Sequence, residues 1–293
     1  MRVTQNITYN TYMNDIMRRQ ESLYKVSKKL STGKDINAPS DDPVKTDKIL
    51  TSRGLLATYD QYEKNIDSGL SYLNTAEDAL DSVKDVISSI QELATSAATG
   101  TADATSRANT AMSVSNLYDQ LVSLANTSFD NKYIFAGFET STIPFDSAGA
   151  YLGDTNKQQI RISSSSYMTI GINGGEAFKG SAGGVDIMTA VSDLVTALNN
   201  NDSTGIQTAI GTLDSSFTQI SNTVSDVGGK ISRLTASRDD ISSSKTEVAS
   251  MISTLEDADI AKVISELKLG QIALEAAMTS AGKVISVNIF DYI

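Results

Sequence analysis

Few stretches of this 293-residue chain carry the residue types and spacing that chemistry needs. Val227-Gly228-Gly229-Lys230-Ile231 offers glycine N–H groups and an ammonium, the parts with which a phosphate loop holds its ligand. It lacks the first glycine and the Ser or Thr after the lysine, so it fails the pattern. Gly174-Gly175 and Gly180-Ser181-Ala182-Gly183-Gly184 follow strand-like runs without dinucleotide-binding spacing and read as turns. Glu256-Asp257-Ala258-Asp259 could gather calcium. With the glycine and distal glutamate of a calcium loop absent, its carboxylates are expected to cap the positive end of a following helix. Paired carboxylates for hydrolysis are permitted by composition, and no residue pattern points to them. Histidine, cysteine and tryptophan are absent, which removes the imidazole base, the thiolate nucleophile and the usual zinc ligands. The expectation is a chain with no catalytic residues, no metal and no cofactor, and not an enzyme.

The elements behind these stretches are helices. Ile260, Val263, Leu267, Gly270, Leu274, Ala277, Ala281, Val284 and Asn288 alternate steps of three and four, the seam of a coiled-coil helix. Tyr9, Tyr12, Ile16, Arg19, Leu23, Val26 and Leu30 repeat that alternation at the other end of the chain. A lone helix with one narrow apolar stripe is marginal in water, so each end needs a partner. Charge agrees: residues 1–34 hold seven Lys or Arg against two Asp or Glu, and residues 257–293 hold three against five. Gly270, Ala277 and Ala281 are small and Arg19 and Asn288 polar, so these seams bury less than a Leu/Ile zipper. The two ends are expected to order fully only when further copies pack beside them. Ile16, Leu23, Val26, Leu30, Ile260, Val263, Leu267, Leu274, Ala277, Ala281 and Val284 are the candidate assembly interface.

Between the ends, Gly33 suits a helix C-terminus, and Asp42 with Pro43 forms a cap and a first helical position. Ile66, Leu70, Leu73, Ala76, Leu80, Val83, Ile87, Ile90 and Ala94 mark one very long amphipathic helix, or two end to end. Thr99-Gly100-Thr101 breaks it, and residues 104–128 resume as a helix that folds back. Lys132 to Ala136, Gln159 to Ser163 and Tyr167 to Ile172 read as strands. Helical spacing returns at Ile187 and continues from Ile206 to Leu255, interrupted at Gly228-Gly229. The expected fold is mainly α: a discontinuous long helical bundle with terminal coiled-coil helices and a small β-rich inserted domain. Its divisions are 1–42, an N-terminal assembly helix pairing with 257–293; 43–129 and 186–256, the two parts of the bundle; 130–185, the β-rich insert; and 257–293, the C-terminal assembly helix.

The net charge is −11, and the excess of acid on residues 35–256 argues against nucleic acid, which needs a basic face. A membrane partner is not expected either, since the tyrosines and narrow stripe of the basic first helix suit a helix partner. Met1 to Asn6 has no apolar secretory run, and zero cysteine suits a protein exported unfolded by a route other than the general secretory one.

Leu30-Ser31-Thr32-Gly33-Lys34-Asp35-Ile36-Asn37 with Asp41-Asp42 resembles the N-terminal signature of the bacterial flagellin family. Asp226 to Leu234, and Glu256 to Asp259 with the terminal seam, are similar to that family's C-terminal region. Lys132-Tyr133-Ile134-Phe135-Ala136-Gly137, Pro144-Phe145 and the closing Ile289-Phe290-Asp291-Tyr292-Ile293 resemble its hook-filament junction members; residues 146–187 match least. The resemblance implies terminal helices in an inner tube, middle helices in an outer wall, an exposed insert and export through the flagellar type III channel. It further implies a structural adaptor layer that self-assembles and joins the hook, through hook-associated protein 1, to the flagellin filament. An export chaperone would hold the C-terminal helix beforehand. The alternative within the family is flagellin, the filament subunit itself.

Overall fold

The computed structural model describes the backbone of residues 2–100 and 102–290 and the side chains of residue 7, residues 9–100 and residues 102–283. The chain is mainly helical, in the order α1 (Arg2–Thr32), α2 (Pro43–Ala97), α3 (Ala104–Ala125), β1 (Ser128–Phe129), β2 (Lys132–Tyr133), β3 (Gln159–Arg161), β4 (Tyr167–Thr169), α4 (Gly174–Phe178), α5 (Ile187–Asn199), α6 (Ser203–Glu256) and α7 (Ile260–Phe290). It divides into two compact units, one made of residues 1–58 and 244–293 and the other of residues 59–243.

Asp42 starts α2 by accepting hydrogen bonds from the N–H groups of Val44 (3.1 Å) and Lys45 (3.0 Å), with Pro43 at the first position, where its missing donor costs nothing. From there the helix runs unbroken for 55 residues, one helix rather than two. The facing 54-residue α6 passes straight through Gly228-Gly229, where an interruption was expected. Two glycines cost about 2 kcal/mol against alanine, and burial of the flanking Val227 and Leu234 offsets this.

In the unit of residues 59–243, burial recurs every seven residues along both long helices: Ile66, Leu73, Leu80 and Ile87 on α2, and Ile206, Leu213, Ile220, Val227, Leu234 and Ile241 on α6. Val114 and Leu121 of α3 and Val191, Leu194 and Leu198 of α5 join the same core. Asp103 and Asp186 cap the two shorter helices. At the turn between α2 and α3, the buried Arg107 donates from Nε to Ala97 O (3.0 Å) and through Nη1 to Asn201, fastening the α2 C-terminus to the α5–α6 turn.

The insert has two antiparallel hairpins. Asp130 and Asn131, both at positive φ, form the tight turn between β1 and β2, and Ile160 pairs with Met168 in the second hairpin. The strands are shorter than expected, and β1 lies where the sequence suggests the end of α3. Beyond Tyr133 the chain leaves its ladder because its carbonyls find other donors: Tyr72 Oη bonds Ile134 O at 2.7 Å and Gly174 N bonds Phe135 O at 3.0 Å. Phe135 and Phe145 then pack edge-on against Phe178, with centroids 5.2 and 5.3 Å from it. Gly174-Gly175, expected as a turn, opens the short helix α4, capped by Asn173. A Cβ on Gly174 would lie 2.6 Å from Phe135 O, so this close approach is what requires glycine.

Candidate assembly interface

The candidate interface lies in the unit of residues 1–58 and 244–293, where α1 packs along α7. Gly33 ends α1 at φ +70°, the left-handed conformation expected of it. The α1–α2 and α6–α7 connections then bind each other as a minimal antiparallel ladder: Asp35 N donates to Glu256 O (2.7 Å) and Ala258 N to Gly33 O (2.9 Å). Ile36 is buried, and Asp41 closes the following turn by accepting from the N–H groups of Asn37 and Ala38. The Leu30 to Asp42 stretch is therefore a helix stop, a bridge, an anchor and a helix start in succession.

Along the helix pair, a Cβ on Gly270 would come 3.0 Å from Leu23 Cδ2, so the glycine marks close approach rather than a gap in the seam. The ladder at residues 34 and 257 makes the pair antiparallel. Equal rise on both helices sets Leu30 level with Val263, Val26 with Leu267 and Ile16 with Ala277. Burial follows the seam except at Tyr9 and Arg19, which are exposed: Val263 and Ala281 are buried, while Ile16, Leu23, Val26, Leu30, Leu267, Leu274 and Ala277 are half-buried. Ile260 stands at the end of the seam, 42% exposed. Val284, Asn288 and the chain end from Asp291 lie outside the described side chains.

The seam is thus occupied within one chain, and a second set of apolar side chains remains in solvent. On α7, Ile264, Leu269, Ile272 and Met278 are exposed; on α1, so are Ile7, Met17 and Tyr24, the last at 70%. Helical spacing puts Leu269 and Ile272 on the side of α7 away from the seam, and Met17 and Tyr24, two turns apart, on one flank of α1. Seam-based reading passed over these residues. Their sequence signal is that each is a large apolar residue off the three-four alternation of a helix whose seam is already complete.

The acidic stretch before α7 divides its roles. Asp259 caps the helix, accepting from Lys262 N at 3.1 Å, as expected. Glu256 instead makes ion pairs. Lys34 Nζ lies 2.8 Å from its Oε1, and Arg53 Nη2 lies 2.7 Å from both carboxylate oxygens. Burial alone would raise the Glu256 carboxyl, but the hydrogen bonds and charges of Lys34 and Arg53 outweigh it and hold the group below its ordinary value of 4.5. Asp35 is lowered by its hydrogen bond from Lys29, 2.6 Å away. Among the described residues no group of three or more acidic side chains could hold a metal ion, and no helix is long and apolar enough to cross a membrane.

Comparison with known proteins matches both ends of the chain. Residues 3–140 match the bacterial flagellin N-terminal helical region and residues 210–293 the bacterial flagellin C-terminal helical region. Flagellar hook-associated protein 3 of Escherichia coli is 28% identical over 94% of this chain and 95% of its own length. The flagellin of Bacillus subtilis is 26% identical over 94% of each chain. Among solved structures, the flagellar hook-associated protein 3 of Legionella pneumophila shares the fold, with a TM-score of 0.63 and 14% identity over 71% of this chain and 98% of its own.

Proposed function

The chain belongs to the bacterial flagellin family, as a structural protein of the extracellular flagellum, and on that premise we propose that it is the adaptor layer between hook and filament. Copies associate through their terminal helices into a short tubular layer. Hook-associated protein 1 lies on the hook side, flagellin on the other, and an export chaperone holds the C-terminal helix before secretion.

The observation that carries self-assembly is the apolar surface left on the α1–α7 pair after its seam is filled. Leu269 and Ile272 are 67% and 64% exposed on the same side of α7, and further copies would bury them. The candidate residues Ile16, Leu23, Val26, Leu30, Ile260, Val263, Leu267, Leu274, Ala277 and Ala281 act one step earlier, by holding the two helices together so that this outer surface is presented, and Val284 is a candidate by its spacing in the sequence alone. The choice of junction over filament rests on the sequence of the Tyr133 to Gly137 and Pro144-Phe145 segments, whose Phe135 and Phe145 form the aromatic centre of the insert with Phe178, and on the closing sequence Ile289-Phe290-Asp291-Tyr292-Ile293. The full-length similarity to a flagellin keeps the filament subunit as the second reading.

Deletion separates the two, because one role nucleates a polymer and the other is the polymer. Without the junction layer, electron microscopy should show hooks lacking filaments, and flagellin should accumulate in the medium as monomer. Bare hooks with no flagellin outside the cell would assign the chain to the filament instead.

A further inference from the structure

We propose that Glu256 is the positioning residue of assembly, fixing the direction in which α1 and α7 leave the ends of the long helices; this rests on the assembly role proposed above. Three segments distant in sequence meet at its carboxylate: the end of α6, the α1–α2 connection through Lys34, and α2 through Arg53, at separations of 222 and 203 residues. The carboxylate side chain is 10% exposed while those of Lys34 and Arg53 are 42% and 48% exposed, so its hydrogen bonds to the two cations are charge-assisted and shielded from water on the carboxylate side only. By contrast, the Lys29–Asp35 pair ties α1 only to its own connection, and Asp259 caps only α7.

The two connections are the places where the helix pair could pivot. The α6–α7 break is residues 257–259, and the α1–α2 break is residues 33–42. Their mutual ladder fastens them to each other, and Glu256 fastens that ladder to α2. Leverage makes the root matter. At about 1.5 Å per residue, a 31-residue helix is a lever roughly 45 Å long, and a pivot of about 10° at its base moves the far end about 8 Å. That displacement equals a whole interaxial distance between packed helices, about 8–10 Å, so neighbours would miss their contacts. Helix content and the core of residues 59–243 do not depend on this angle.

The test complements cells deleted for this chain and counts filaments by electron microscopy, with export assayed in the medium. Glu256→Gln should be exported like wild type and keep wild-type amide exchange over residues 59–243, yet lower the fraction of filament-bearing cells at least about tenfold. Glu256→Lys, which puts a third cation beside Lys34 and Arg53, should do the same, and adding Arg53→Glu should restore at least about half of the wild-type count by returning a carboxylate to the cluster. Wild-type filament counts from Glu256→Gln, a double variant no better than Glu256→Lys alone, or faster exchange over residues 59–243 would overturn the positioning role. Failure of the wild-type chain itself to restore filaments would overturn the assembly role beneath it.

Discussion

The two units of this chain are built from the same kind of helix and finished to different degrees. In residues 59–243 the heptad positions are Leu, Ile and Val, and Leu73, Leu80, Ile87, Leu213 and Ile220 are all fully buried. In the terminal unit the seam of α1 and α7 includes Gly270, Ala277 and Arg19, most of its members are half-buried, and large apolar side chains remain in solvent. The difference lies in where burial ends. The 59–243 unit encloses a fully buried core, with Met112, Phe138, Ile143, Leu152 and Tyr167 exposed outside it; along α1 and α7 the seam itself stays mostly half-buried, as expected of a surface that continues into neighbouring copies.

The largest expected effect comes from placing a charge in the terminal seam. Leu274→Asp, or Leu267→Asp, should abolish incorporation into the flagellum while leaving amide exchange over residues 59–243 unchanged, since an unpartnered charge costs several kcal/mol at each of many repeated contacts. Normal motility of such cells would break the comparison.

Next is a matched pair of truncations in the monomer. Leu80→Ala empties a fully buried site and should cost about 2–5 kcal/mol, whereas Leu274→Ala, in a half-buried seam beside small residues, should cost about 1 kcal/mol or less. Urea titration followed by circular dichroism reads both, and equal losses would remove the distinction between the two cores.

The pH responses of the regions should also differ on the alkaline side. Glu256 is held below its ordinary 4.5, so its stabilisation is present above that pH and is lost as pH falls through the folded value. Tyr151 is pushed from 10.0 up to about 12 by burial and then by the Asp154 charge, so its contribution is present below pH 10 and lost as pH rises towards 12. Acid should therefore loosen the terminal unit and also the surroundings of Asp154 and Asp186, whose carboxyls are likewise lowered, whereas base should loosen the insert first, as read by amide exchange on the acid side and tyrosine absorbance on the alkaline side. Loss of both regions at the same alkaline pH would contradict this.

The smallest effect sharpens the description of α6. Gly229 lies mid-helix, and a methyl group added to its α-carbon would meet nothing within 4 Å, so Gly229→Ala should stabilise the chain by about 0.5–1 kcal/mol in the same urea assay. A loss of stability would contradict an open, unstrained helical position at Gly229.

How much of this was legible in the sequence differs by region for a physical reason. Periodicity in Ile66 to Ala94 and the Asp42-Pro43 start identify α2, because a long amphipathic helix repeats its signal many times. The Gly228-Gly229 interruption was misread, since glycine propensity is a local quantity and burial of Val227 and Leu234 overrides it. Strands ended early around Ile134 because Tyr72 and Gly174, distant in sequence, donate to the carbonyls of Ile134 and Phe135. The three-four spacing at each end was readable as a long helix, and α1 and α7 lie there. The Glu256 pairs with Lys34 and Arg53 were not readable, because they join residues more than 200 apart and leave no local period.

The central claim is that the α1–α7 pair is completed by other copies, and amide hydrogen exchange compares it directly in purified monomer and in isolated flagella. The account expects residues 7–30 and 260–283 to exchange rapidly in the monomer and slowly in the assembled state, with residues 59–243 protected in both. Strong protection of the terminal helices in the monomer, unchanged on assembly, would contradict it.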